Sequence, residues 1–286
     1  MDILCQFGPI KVLFQKIPIS PLWPFWSWKL DPFRVERGAP DIVVRYSGHP
    51  VNPEGTPVWE DAVTQVCRQV YVLDDGRMLW QQTQQATGAL QLQFAVSADW
   101  REIVLTQDHS STAGMGAFEA LTFLIYYAFL HRQVLTFHGA LVEADGKGFL
   151  LCAASGVGKT THARLWRDQK NALIINGDRA ACFQKQGKWV GFGTPWCGTS
   201  GEYLNRMVPL QAVVILQRGE ENRVSAVSGM SLLSHGVYPA WDGAATEMML
   251  SLLDRFVEQI PVLRLECTPD GVAADVLQQA LGRLPL

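Results

Sequence analysis

The feature that most constrains this chain is the run FLLCAASGVGKTTHARLWRDQ, residues 149–169. An apolar strand-like segment leads into a glycine-bearing turn, and the turn opens a helix-like segment. A strand–turn–helix unit of this kind commits its region to an α/β arrangement, because the helix must bury its apolar stripe against a sheet. Gly156 and Gly158 let the backbone curl so that its N–H groups point inward. The helix that follows adds the positive end of its dipole, so the turn suits an anion such as phosphate. Lys159 supplies a point charge for β- and γ-phosphates, and Thr160 a hydroxyl for Mg²⁺. The candidate nucleotide-contacting set is Ser155, Gly156, Val157, Gly158, Lys159, Thr160 and Thr161. The strict pattern G-x-x-x-x-G-K-[ST] has glycine where this chain has Ala153, a change that is tolerable if φ stays negative there. The bland alternative is a glycine turn beside an exposed lysine.

Strands alternate with helices from Thr136 onward. VLTFHGALVEADGKGFLLCAA reads as two strands joined at Asp145-Gly146, and ALIIN, LQAVVILQR and PVLRLEC read as further strands. AATEMMLSLLDRFVEQI and DGVAADVLQQAL have helical periodicity. The first ~110 residues read instead as strands and turns of a small antiparallel sheet, with Asp75-Gly76 suited to a hairpin turn. The insert PLWPFWSWKLDPF carries three tryptophans and three prolines, and it reads as neither helix nor central strand but as a loop packed over that sheet.

Composition excludes several function classes. The 286 residues carry 24 basic and 27 acidic side chains, a formal charge of −3, so no basic excess points to nucleic acid. The longest apolar run, residues 117–130, is too short for a bilayer and contains Glu119; it reads as a buried helix. The N-terminus lacks a signal-peptide pattern, and the six cysteines form no C-x-x-C pair. The expectation is a reduced, cytoplasmic protein without membrane contact.

A carboxylate completes the candidate site. Asp178 lies 19 residues beyond Lys159, in IINGDRAA. If ALIIN returns the chain to the edge from which it left, Asp178 stands just past a strand end, beside the phosphate loop, where α/β sheets bind ligands. It could hold Mg²⁺ or take the proton of an attacking hydroxyl. The alternative is ordinary Gly-Asp turn chemistry. The segment GTPWCGTSGEYLNR, residues 193–206, reads as a polar active-site loop in which Arg206 could stabilise transferred phosphate and Glu202 could hold metal; an ordinary exposed loop is the alternative. Cys197 within it reads as a buried thiol.

At these residues the chain resembles HPr kinase/phosphorylase, the bacterial serine kinase of the sugar-transport phosphocarrier protein, whose fold is shared with ATP-dependent phosphoenolpyruvate carboxykinase. The resemblance runs from about Thr136 to the C-terminus. It is closer to HPr-kinase-like proteins of peptide-modification systems, including lasso-peptide kinases. INGDRA at 175–180, GTPWCG at 193–198, Asn205, PLQAVVIL at 209–216 and IPVLRLECTPD at 260–270 carry it. The resemblance implies that Asp178 is a general base lying by the metal, and that His138 approaches phosphate. HPr kinases have two adjacent aspartates where this chain has Gly177-Asp178, so Glu202 is a candidate for the second carboxylate.

The fold expected is therefore α/β: a P-loop domain of the HPr kinase/phosphoenolpyruvate carboxykinase type over 116–286, with a smaller, mainly antiparallel β region over 1–115 that helps dock substrate. The function expected is an ATP- and Mg²⁺-dependent kinase acting on a hydroxyl, serine first, of a peptide or small protein. Asp178, Lys159, His138 and Arg206 are the expected catalytic residues, and Thr160, Asp178 and Glu202 the expected metal ligands. The resemblance to hexameric HPr kinases admits a homo-oligomer. The alternative is a nucleotide-binding scaffold of a peptide-maturation system.

Overall fold

The computed structural model describes residues 2–17, 23–63, 65–108, 115–154, 156–238, 240–268 and 271–284. The chain divides into two compact units, Met1–His131 with Ala240–Thr246, and Arg132–Pro239 with Glu247–Leu286. The helix that follows the sequence boundary at 115/116 groups with the first unit.

The first unit is built on one eight-stranded sheet. Its elements in chain order are β1 (Ile3–Phe7), β2 (Ile10–Gln15), α1 (Trp23–Leu30), β3 (Ile42–Tyr46), β4 (Trp59–Val63), β5 (Val66–Val72), β6 (Met78–Gln84), β7 (Leu90–Val96), β8 (Glu102–Asp108) and α2 (Met115–Leu130). The strand order is β1-β2-β3-β8-β7-β6-β5-β4. The hairpins pair antiparallel as expected, and Gly76 turns between β5 and β6 with φ +80°. β3, however, pairs parallel to both β2 and β8, so the sheet is mixed. The reason is the crossover between β2 and β3, which is long enough to return the chain in the same direction.

Much of that crossover is the tryptophan-rich insert, and the structure corrects its reading. Residues 23–30 form helix α1. Pro24 is accommodated because it falls in the first turn, where its missing N–H has no partner to lose. Trp26 is fully buried, edge-on to Phe14 at 6.1 Å and to Phe118 of α2 at 5.5 Å. The expected buried helix is α2, apolar on nearly every side. Among the described residues no helix is long and apolar enough to cross a membrane.

The second unit holds the other sheet. Its elements are β9 (Val134–Ala144), β10 (Lys147–Cys152), α3 (Lys159–Lys170), β11 (Leu173–Asn176), β12 (Arg179–Lys185), β13 (Lys188–Phe192), β14 (Met207–Arg218), β15 (Arg223–Ala226), α4 (Leu232–His235), α5 (Gly243–Val257, from Glu247 onward in this unit), β16 (Val262–Cys267) and α6 (Val272–Gly282). β9 and β10 are a hairpin whose turn residues Asp145 and Gly146 have φ +52° and +75°, the left-handed pair that a tight hairpin demands. β10, β14 and β16 pair in parallel.

Helices cover both faces of this sheet. On one, Ala140, Val142, Phe149 and Leu151 join Ala163 and Trp166 of α3 and Leu277 of α6 in a continuous core. On the other, Phe256 of α5 meets Phe137 at 5.2 Å and Trp189 at 5.0 Å. α3 buries Lys159, His162, Ala163 and Trp166, the i, i+3, i+4, i+7 stripe of an amphipathic helix. Trp166, 4.6 Å from Phe149, anchors that stripe, and Lys159 is carried inward at its N-terminal end.

His162 lies on the same stripe, 4% exposed, and its Nε2 has no partner among the described residues. Burial disfavours the imidazolium and holds the pKa down at about 4, against an ordinary 6.5. Above pH 6.5 both folded and unfolded chains are neutral at this position. Below it the unfolded chain binds a proton that the folded chain refuses until about pH 4, so stability is lost across that window. The full loss is about 3 kcal/mol. His162→Leu should therefore flatten the fall in urea midpoint between pH 6.5 and pH 4 relative to wild type; an unchanged pH slope would show that His162 is not its source.

Candidate active site

The glycine turn leaves the sheet at Cys152, the end of β10, and enters α3 at Lys159. Gly156 has φ +78° and Gly158, the N-cap of α3, φ +124°, conformations that side chains resist. Ala153 keeps a negative φ and is 1% exposed, its methyl part of the core under α3. That is why the chain does without glycine there. Lys159 is 8% exposed, and its Nζ donates to the Ala153 carbonyl at 3.0 Å, folding the ammonium back over the turn. Thr160 is half-buried and Thr161 exposed; Ser155 lies outside the described residues. From the end of β14, Arg218 Nη2 donates to the Gly156 carbonyl at 2.9 Å.

Asp178 lies just past the end of β11, at the same edge as the glycine turn. β11 and β12 both pair antiparallel with β9, so they are one strand interrupted at Gly177-Asp178. The interruption is a bulge that turns Asp178 out of the ladder. It lies level with Gly139, which donates its N–H to the Asp178 carbonyl at 2.7 Å and pairs with Cys152, where the glycine turn begins.

The bulge is held by Asn176, which is fully buried. Its Oδ1 accepts from the backbone N–H of Asp178 at 3.0 Å and of Arg179 at 2.6 Å. Its Nδ2 donates to the carbonyls of Thr194 at 2.9 Å and Trp196 at 3.1 Å. One amide thus joins the bulge to the segment that follows β13. The fit there depends on glycines. A Cβ on Gly177 would lie 2.1 Å from Ser200 Oγ, and one on Gly198, at φ +57°, would lie 2.4 Å from Asp178 Oδ2. Asn176, Gly177 and Gly198 were not among the expected site residues; their only sequence signal is the spacing of N-G-D and the glycines of GTPWCGTSG.

Hydrogen-bond donors and positive side chains converge on Asp178. His138 Nε2 lies 3.2 Å from Oδ1, so the tautomer with Nε2–H donates to the carboxylate. Arg179 Nε is 3.5 Å from Oδ2. Burial pushes the Asp178 carboxyl up, but His138, Arg179 and Lys159 together outweigh it and hold the group below the usual carboxylate range. It is an anion at neutral pH. The ring of Tyr238 lies 6.0 Å from that of His138, and its phenol, pushed up by burial, hydrogen-bonds Arg179.

The two remaining candidates are engaged elsewhere. Glu202 Oε1 accepts from Arg164 Nε at 3.0 Å and Arg167 Nη1 at 3.2 Å, which ties its loop to α3. Arg206 forms a two-pronged pair with the buried carboxylate of Glu143. Glu143 is opposite Gly148, at the end of β10 away from the glycine turn. The structure therefore brings Lys159, Asp178 and His138 together and pairs Arg206 with Glu143 at the far end of β10. Glu202 accepts from the Gly177 N–H through its carbonyl at 2.9 Å, while its side chain pairs with Arg164 and Arg167. Among the described residues no group of three or more His, Cys, Asp and Glu side chains is arranged to hold a metal. Cys197 is a buried thiol.

Residues 103–281, more than half of the chain, match the family model described as SynChlorMet cassette protein ScmC. No curated protein matches. Among solved structures, the HPr(Ser) kinase/phosphatase from Coxiella burnetii aligns over 52% of this chain and 88% of its own at 13% identity, with a TM-score of 0.32.

Asn176→Ala strands two half-buried backbone donors and two buried carbonyls at once. Each lost buried partner costs about 1 kcal/mol or more, so the variant should unfold at clearly lower urea than wild type, by about 2–4 kcal/mol. A change below about 0.5 kcal/mol would mean that the amide does not hold the bulge.

Proposed function

The chain belongs to the family of SynChlorMet cassette protein ScmC, and on that premise we propose that its second unit is an ATP-dependent kinase. Its substrate in this reading is a hydroxyl, serine first, on a peptide or small protein. The observation that carries the reading is the convergence of a left-handed glycine turn, a buried lysine and an ionised, histidine-held aspartate at one end of β10. Membership of a cassette family fits an enzyme whose substrate is encoded beside it.

The geometry supports the following chemistry. The N–H groups of the turn and the N-terminus of α3 face the β- and γ-phosphates of ATP, and Lys159 leaves the Ala153 carbonyl to neutralise them. The acceptor oxygen attacks the γ-phosphorus. A new O–P bond forms as the bond to the β–γ bridging oxygen breaks, ADP departs, and the hydroxyl proton passes to the Asp178 carboxylate. His138 fixes the orientation of that carboxylate through Oδ1. A magnesium ion bound with the nucleotide would spread the charge that develops on the phosphates, and Thr160 and Asp178 would hold it. The donors on hand, the Thr160 hydroxyl and one ionised carboxylate, are the small protein share that magnesium takes when phosphates and water complete its shell. Glu202 and Arg206, with partners of their own, are left out of this site. The supply of ATP sets the proposed activity in the cytoplasm.

A second reading, a nucleotide-binding scaffold of a peptide-maturation system, is favoured by the pairing of both Asp178 oxygens, with His138 and with Arg179. One experiment separates the two. The protein is incubated with Mg²⁺, labelled ATP and the peptides encoded beside its gene. A kinase transfers label; Lys159→Ala weakens ATP binding, and Asp178→Asn keeps ATP binding while transfer falls by about 10²–10⁴. ATP binding without transfer to any of these acceptors leaves the scaffold.

A further inference from the structure

β10 has neighbours on both sides. β9 flanks it on the side of His138 and Asp178, and β14, followed by β16, flanks it on the other. In-line phosphoryl transfer needs the attacking and leaving oxygens on opposite sides of the γ-phosphorus. With the acceptor at Asp178, the leaving diphosphate runs toward the ends of β14 and β16.

Three observations describe what waits there. Arg218, the last residue of β14, is exposed and reaches the rim of the glycine turn through the Gly156 carbonyl at 2.9 Å. The turn after it is fastened to β16: Gly219 N–H donates to the Cys267 carbonyl at 3.1 Å. Asn222 and Thr268 bond each other twice, at 3.0 and 3.1 Å, as a half-buried polar shelf. Glu220 and Glu221 are exposed in the same turn, so the surface repels a further phosphate and accepts an uncharged group.

We infer that this edge seats a nucleoside, that the planar guanidinium of Arg218 stacks on its base, and that the phosphoryl donor is accordingly a nucleoside triphosphate and not an inorganic polyphosphate. The inference rests on the phosphate-site reading above. A guanidinium at the mouth of the turn, on the side away from the acceptor, is placed to do this, and arginine is the cation that stacks on aromatic faces.

The test is titration calorimetry of the full chain with ATP and with inorganic tripolyphosphate, each with Mg²⁺. Wild type should bind ATP at least about tenfold more tightly than tripolyphosphate. Arg218→Ala should lose about tenfold in ATP affinity and keep tripolyphosphate affinity within about twofold, which also certifies its fold. Arg218→Lys keeps the charge and lacks the plane, and should lose ATP affinity in the same way. Equal losses for both ligands would make Arg218 a support of the turn and overturn the inference, as would no loss for either. A wild-type chain that binds both ligands equally overturns the nucleoside seat while the phosphate site stands. A chain that binds neither overturns the phosphate-site reading itself, and this inference with it.

Discussion

The side-chain amide of Asn176 is the joint on which the candidate site depends. A carboxylate in a strand would ordinarily point to one face of the sheet and stay there. Asn176 makes a different geometry affordable to the backbone by taking the N–H groups of Asp178 and Arg179 that the bulge removes from the ladder. The same amide, through its nitrogen, fastens the segment after β13 over the bulge. Gly177 and Gly198 then let that segment approach closely enough to wall in Asp178. Buried polar groups are stable only when every partner is supplied, and here a single side chain supplies four.

The electrostatics follow from that placement. Desolvation alone would raise the Asp178 carboxyl toward neutrality; His138, Arg179 and Lys159 reverse the sign. These three come from the middle of β9, the start of β12 and the start of α3, so the buried carboxylate is held below its ordinary range only when all three elements are assembled. Lys159 is itself held by the packing of α3, because it shares the stripe that Trp166 anchors. The core and the site are one construction: the residues that seat the helix also aim its lysine.

Much of the second unit was legible in the residues. The hairpin at Asp145-Gly146, the strand before the glycine turn, the helix after it and the final strand and helix have strong local signals, in turn chemistry or in apolar period. The placement of Lys159 and Asp178 on one edge could be argued from the strand–helix–strand order, whereas His138 was implied only by the family resemblance. The insert around Trp26 could not, because three prolines argue against a helix and only their positions show that Pro24 falls in a first turn. The mixed character of the first sheet was hidden for a similar reason: β3 reads as an ordinary strand, and its direction is decided by the crossover before it. Arg206 and Glu202 had the right chemistry for a phosphate site, but their partners, Glu143 on one side and Arg164 and Arg167 on the other, are distant in sequence.

What the sequence determined by itself is the local grammar: a turn that only glycines can make at residues 156 and 158, a helix whose apolar stripe includes a lysine, and strands on either side. Those properties depend on φ, on side-chain branching and on periodicity, all of which act over a few residues. What only the tertiary structure decided is which polar groups share an environment. Asp178 is a histidine-held anion at the glycine turn and Arg206 is a partner of Glu143 because strand register, set by the packing of whole faces, brings those pairs together.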